Sequence, residues 1–323
     1  MWRQPARDNT VDLFATESNP VPDGAVVGEV VASDGVRLRT ATWRPTVRRT
    51  LGTVCVFQGR AESIERYFET ITDLRRRGFA VASLDWRGQG GSERRLKNPR
   101  KGHVDSFAEY DRDLDAFMQQ VVLPDCPPPH FALAHSTGGL ICLRAAHDGR
   151  VRFARMVLDG LLLGLGPRWP SQRFVSGVSA FATAIGLGEL EVPGRYAGTI
   201  EHMKFDGNPL TSDPVRFERS RQIAIAVPSV TVGLPTYGWL YAATRAMAEA
   251  GDEAFPTRIT TPILLVAGSL DPVVSVPAVE RLAGELRTAS FVLVPGARHE
   301  VLMERNRMRE QYWAAFDAFV PGS

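Results

Sequence analysis

The sequence predicts a doubly wound α/β fold: a mostly parallel sheet, an antiparallel hairpin ahead of it and one long helical insertion. Three observations carry this reading. Continuous apolar runs of strand length recur along the chain, amphipathic helical stretches alternate with them, and the alternation stops over residues 164–256 before it resumes. A strand buried on both faces reads as an unbroken apolar run, and parallel strands need helical crossovers that cover the sheet.

The elements follow in order. Ala25 to Val31 and Val36 to Trp43 alternate apolar with polar residues on either side of Ser33-Asp34-Gly35, the pattern of a β-hairpin. Thr53 to Phe57 is a continuous apolar strand, Ile64 to Arg77 a helix bearing Tyr67, Phe68, Ile71 and Leu74 on one face, and Phe79 to Leu84 a second buried strand. A helix over Ser106 to Val122, a strand at Phe131 to Ala134, a helix over Thr137 to His147 and a strand at Met156 to Leu158 continue the alternation. Beyond the insertion come a strand at Pro262 to Val266, a helix over Val276 to Leu286, a strand at Phe291 to Val294 and a closing helix from Arg305 to Phe319. The insertion contains helical fragments with many Gly and Pro and no run of β-branched residues.

At 323 residues the chain is long enough for two domains or for one large α/β domain with an insertion. The expected division is an N-terminal extension over 1–23, a core formed by 24–163 and 257–323, and the insertion at 164–256. A net charge of +2 leaves no electrostatic footprint for nucleic acid. Cys55, Cys126 and Cys142 form no CxxC motif and no disulfide framework, which suits a reducing compartment. Residues 1–8 lack the apolar core of a secretory signal, so a cytoplasmic location is expected. The uncharged stretches at Phe174 to Gly188 and Gln222 to Thr244 are too short or too interrupted by Pro and Gly to read as spanning helices.

The chemistry lies at strand ends. Ala134-His135-Ser136-Thr137-Gly138-Gly139 leaves a strand and opens a helix, the setting of a nucleophile elbow, with Ala134 where the usual pattern has Gly. A serine hydroxyl needs a base to take its proton and a carboxylate to orient that base. Asp271 in Gly268-Ser269-Leu270-Asp271-Pro272 and His299 in Pro295-Gly296-Ala297-Arg298-His299-Glu300 each follow a later strand. Asp159, at the end of another strand, is a rival acid; the loop carrying Asp271 favours Asp271. His135 is expected to point away from the site as a packing residue, and His103, His130, His147 and His202 to be structural or superficial. One oxyanion donor is the backbone N–H of Thr137; the other comes from Phe57-Gln58-Gly59-Arg60-Ala61-Glu62, with the Arg60 amide in the role. The Arg60 side chain has two fates open to it, meeting a substrate headgroup or ending in a surface salt bridge, and the salt bridge is the expected one. Leu84-Asp85-Trp86-Arg87-Gly88-Gln89-Gly90-Gly91-Ser92 has neither a Gly-Lys-Ser/Thr ending nor a GxGxxG opening a helix, so it reads as a brace for the oxyanion loop and not as a phosphate loop.

Together with Gly102-His-Val-Asp-Ser-Phe107, these motifs resemble the bacterial lysophospholipase and monoacylglycerol lipase branch of the α/β-hydrolase superfamily, of serine aminopeptidase type. The resemblance runs from about residue 24 to residue 320 and extends into the insertion at Gly207 to Pro214 and Gly233 to Trp239. It implies an α/β-hydrolase fold, a triad of Ser136, Asp271 and His299, an oxyanion hole at Arg60 and Thr137, and a lid formed by the insertion. Gln58 departs from the lipase pattern, which has His there. The expected activity is cofactor-independent and metal-independent hydrolysis of a lipid-like carboxylic ester, with peripheral contact to the inner membrane through the lid. Phe174, Val178, Phe181, Ile185, Leu187, Tyr237, Trp239 and Tyr241 either line a pocket, face a membrane or pack the lid onto the core. The insertion carries eight Arg/Lys against nine Asp/Glu, so its composition supplies no cationic clamp for a headgroup. The same triad would serve a peptidase, a thioesterase or a small-ester hydrolase, and the fold would serve a non-catalytic ligand-binding protein.

Overall fold

The structure is a computed structural model that describes residues 12–193 and 199–321. Strands β1 (Val26–Val31) and β2 (Arg37–Trp43) form the hairpin around Gly35, which takes the positive φ its tight turn requires. They are followed by β3 (Thr53–Phe57), α1 (Phe68–Arg76) and β4 (Ala80–Leu84). Next come α2 (Ala108–Phe117), prolonged by a π-type turn over Met118–Val122, then β5 (His130–His135), α3 (Ser136–His147) and β6 (Arg155–Asp159). Between β6 and the next strand lie α4 (Gln172–Ala184), α5 (Pro214–Ala226) and α6 (Tyr237–Ala250). The chain then completes the sheet with β7 (Ile263–Gly268), α7 (Val276–Glu285), β8 (Ala289–Val294) and α8 (Asn306–Phe319).

The strand order is β1-β2-β4-β3-β5-β6-β7-β8. Pairing is antiparallel from β1 to β2 and from β2 to β4, and parallel everywhere else. Alternate residues of each central strand feed two cores. Cys55, Phe57, Ala132, Ala134, Leu158 and Leu265 pack against one layer of helices, while Val54, Val56, Leu133, Val157, Leu264 and Val266 pack with residues of α1 and α8. The continuous apolar runs in the sequence are the direct consequence of this two-sided burial.

The helices of the insertion start where the sequence caps them. Ser171, Asp213 and Thr236 each accept a hydrogen bond from the first turn of α4, α5 and α6, and Pro214 occupies the first position of α5. Helix α6 sinks Trp239, Leu240, Ala243 and Met247 into the main core, and α4 packs on it. Phe174, Val178, Phe181, Ile185 and Leu187 remain exposed along α4 and its end. The aromatic and aliphatic residues singled out in the insertion therefore divide: Trp239 packs inward, and those of α4 form an outward apolar face.

On the side of the hairpin, Arg39 is fully buried, with bonds to Glu65 at 2.7 Å and to Asp85 at 2.6 Å. It also donates to the Asp12 carbonyl, while the Asn19 side chain donates to the Glu65 carbonyl, so part of the N-terminal extension is fastened to the core. No helix among the described residues is long and apolar enough to cross a membrane.

Candidate active site

β5 ends at His135 and α3 begins at Ser136 with no intervening loop. The chain turns this sharply because Ser136 takes a φ of 51°, a left-handed conformation shared by only one other non-glycine residue among those described, Ala61. For a serine this costs of order 1–3 kcal/mol and persists where the surroundings fix it. Gly138 shows the packing that fixes it: a Cβ there would lie 2.5 Å from the Gln58 carbonyl oxygen and 2.7 Å from that of Phe57. Glycine lets the first turn of α3 sit directly on the loop after β3. Ala134 is absent from the positive-φ positions, so the elbow needs no glycine there.

β7 and β8 bring the two downstream residues to the same edge of the sheet. Nδ1 of His299 lies 2.8 Å from Oδ2 of Asp271, and both side chains are buried. The other Asp271 oxygen accepts the amides of Val273 at 2.8 Å and Val274 at 3.1 Å. Burial opposes the charge on Asp271, but the His299 imidazole and these amides outweigh it and hold the carboxyl below its ordinary range. The insertion secures the histidine loop: the Glu300 amide donates to the Leu210 carbonyl at 2.9 Å, and the Arg298 guanidinium donates to the carbonyls of Asn208 and Thr211. This gives the segment Gly207 to Pro214 a physical task that the sequence did not disclose.

Asp159 belongs to a different pair. It lies 3.4 Å from Nδ1 of His135, with its second oxygen buried and without a partner. His135 does not point away from the site, contrary to expectation. Its ring lies against that of His299 with centroids 4.7 Å apart, and its Nε2 approaches Glu62 at 3.9 Å. Burial lowers the affinity of His135 for a proton, but Glu62 and then Asp159 overcome it and raise its pKa to about 9. Left-handed Ser136 turns the chain immediately after His135, so the imidazole is tucked beneath the elbow and not carried outward. Among the other histidines, His103 is buried between Thr236 and Asp105, and His147 stacks on Phe255.

The loop after β3 is held from several sides. Glu62 accepts the Gly59 amide at 2.6 Å and the Tyr67 hydroxyl at 2.7 Å. Gln89, from the glycine-rich turn after β4, donates to the Gly59 and Glu62 carbonyls and accepts the Ala61 amide. With the Gly59 and Ala61 amides engaged, the Arg60 amide is left between them. Thr137 lies in the first turn of α3, where backbone N–H groups have no partner within the helix. Gln58 turns into the wall, donating to the Ser83 hydroxyl at 3.0 Å. Among the described residues the Arg60 side chain makes no surface salt bridge; the loop directs it inward, where it donates to the Gly233 carbonyl at 3.0 Å and lies over Trp239.

Ser136, Thr137, His135, His299, Arg60 and Glu62 all border one cavity of about 220 Å³. Leu162, Trp169, Ile200, Met203, Leu210 and Val232 supply apolar wall, much of it from the insertion. Glu62, His135 and Glu300 place potential ligand atoms within 4.8 Å of one another, but the Arg66 guanidinium bonds both carboxylates, at 3.2 and 2.7 Å, and so fills the place of a cation.

The sheet order and the elbow define an α/β-hydrolase. The chain belongs to the serine aminopeptidase, S33, family (Hydrolase_4), whose profile matches residues 48–306. It is 31% identical over 299 residues to lysophospholipase L2 of Escherichia coli (strain K12), covering 87% of this chain and 83% of the relative. Monoglyceride lipase of Rattus norvegicus is 26% identical over 245 residues, covering 75% of this chain and 72% of the relative. Among solved structures, the monoacylglycerol lipase of Paleococcus ferrophilus superposes with a TM-score of 0.70 at 23% identity, over 88% of this chain and 99% of the other.

Proposed function

We propose that this protein is a serine hydrolase that cleaves the carboxylic ester of a lysophospholipid or monoacylglycerol-like lipid through an acyl-enzyme on Ser136. The observation that carries the reading is the left-handed Ser136 bordering the same cavity as His299, whose Nδ1 is held by Asp271. The names of the lysophospholipase and monoglyceride lipase relatives support the lipid ester. His299, its Nδ1 held by Asp271, takes the Ser136 hydroxyl proton through Nε2 as the oxygen attacks the ester carbon. The Arg60 and Thr137 amides bind the oxyanion. Collapse of the tetrahedral intermediate expels the alcohol, which receives the proton from His299. Water, deprotonated by the same imidazole, then releases the fatty acid and regenerates Ser136.

Residues 164–256 act as the lid over this site, supplying apolar wall for the acyl chain, and the exposed face of α4 is the part suited to touch a lipid surface. The buried thiols Cys55, Cys126 and Cys142 support a reducing, cytoplasmic setting. A p-nitrophenyl ester chain-length series, run beside lysophosphatidylcholine and monoacylglycerol, tests the reading. Turnover of at least one of the two lipids is expected. Best turnover of acetyl esters with both lipids ignored overturns it.

A further inference from the structure

Several arginines inside this molecule are matched to carboxylates; Arg60, at the cavity, forms no such pair among the described residues. Arg39 lies between Glu65 and Asp85, and Arg66 between Glu62 and Glu300. Arg60 borders the cavity with Gly233 and Trp239, both of which it contacts. Its guanidinium carbon lies 5.0 Å from the Trp239 ring centroid, and one Nη donates to the Gly233 carbonyl at 3.0 Å. Its Nε is buried without an acceptor. Among the described residues no carboxylate forms an ion pair with it. Burial lowers its pKa to about 10, only partly opposed by Tyr110 and Glu191, so the group remains a cation at neutral pH.

A buried donor without an acceptor and a cation without a direct ion pair are both costly. The cost falls when an anion enters the cavity, and a guanidinium is the side chain whose fork fits phosphate oxygens. The aromatic face of Trp239 fixes the group without neutralising it. The Arg60 main chain also belongs to the loop assigned to the oxyanion, so a group bound by its side chain lies close to the reacting ester.

We propose that the Arg60 guanidinium binds the phosphate of the substrate headgroup, making this enzyme select lysophospholipids over uncharged monoacylglycerols of the same acyl chain. The proposal rests on the serine hydrolase reading and can fail separately from it. The kinetic test compares kcat/KM for oleoyl lysophosphatidylcholine, oleoyl lysophosphatidate and monooleoylglycerol in wild type, Arg60→Met and Arg60→Lys. Any disturbance of the oxyanion loop affects all three esters, and the ratio between lipids removes it. Wild type is expected to prefer the phosphate-bearing lipids, and Arg60→Met to reduce that ratio by about 10- to 100-fold, the scale of a lost charged hydrogen bond. Arg60→Lys is expected to keep more of it. An unchanged ratio in Arg60→Met overturns the proposal.

Calorimetric titration of wild type with non-hydrolysable ether analogues of lysophosphatidylcholine and monooleoylglycerol reads the same preference without turnover and without a variant. Tighter binding of the phosphate-bearing analogue supports the proposal; equal affinity overturns it. Hydrolysis of none of the three esters would instead count against the reading on which the proposal stands.

Discussion

The imidazole of His135 lies on that of His299, their centroids 4.7 Å apart, and each ring faces its own carboxylate, Asp159 at 3.4 Å and Asp271 at 2.8 Å. Two His–Asp pairs thus sit side by side beneath the elbow. Only the Asp271 pair has the short, doubly supported geometry of a carboxylate that orients a base: its second oxygen is locked by two amides, whereas that of Asp159 is unpartnered.

Asp271→Asn is accordingly expected to lower kcat by about 10³- to 10⁴-fold with little change in fold, because the amide presents the wrong partner to Nδ1. Asp159→Asn should lower kcat far less. Steady-state kinetics on one ester decide the matter, and a larger loss in Asp159→Asn would transfer the acid role to Asp159.

The charge on His135 makes stability depend on pH. With its folded pKa raised to about 9, against an unfolded value of about 6.5, the folded state binds the extra proton between them. The stabilisation is fully present below the unfolded pKa and is lost as pH rises through the folded one. Urea unfolding of wild type and His135→Gln from pH 6 to 9.5 should show the wild-type advantage shrinking across that window. An advantage that grows with pH would show that His135 is buried neutral.

Much of the framework was legible because its physics is local. Two-sided burial makes β3, β4 and β7 read as apolar runs, and Asp34-Gly35 marks the hairpin turn. Ser136, Asp271 and His299 were legible because each follows a strand, and parallel strands bring their ends to one edge. What the sequence hid depends on tertiary contact. The inward course of Arg60 is set by Trp239 and Gly233, more than 170 residues away in the chain, and the place of His135 by the backbone of its neighbour. The glycine-rich turn after β4 was read as a brace for the loop after β3, and Gln89 is the residue that does the bracing; which atoms it holds is a matter of geometry.

Gly138 offers a test of that loop. Gly138→Ala would drive a Cβ into the Gln58 and Phe57 carbonyls, which are main-chain atoms and can move only with the loop. Its expected effect is a fall in kcat of about 10²-fold or more, the scale of losing an oxyanion donor, with KM less affected. Near-wild-type kcat in a folded Gly138→Ala protein would show that the loop is not the oxyanion site.

The central claim is that Ser136 is the nucleophile, and covalent labelling tests it most directly. Wild type treated with a fluorophosphonate probe should give one adduct, mapped by peptide mass spectrometry to Ser136, and Ser136→Ala should give none. An unlabelled wild type, or equal labelling of Ser136→Ala, would contradict the account.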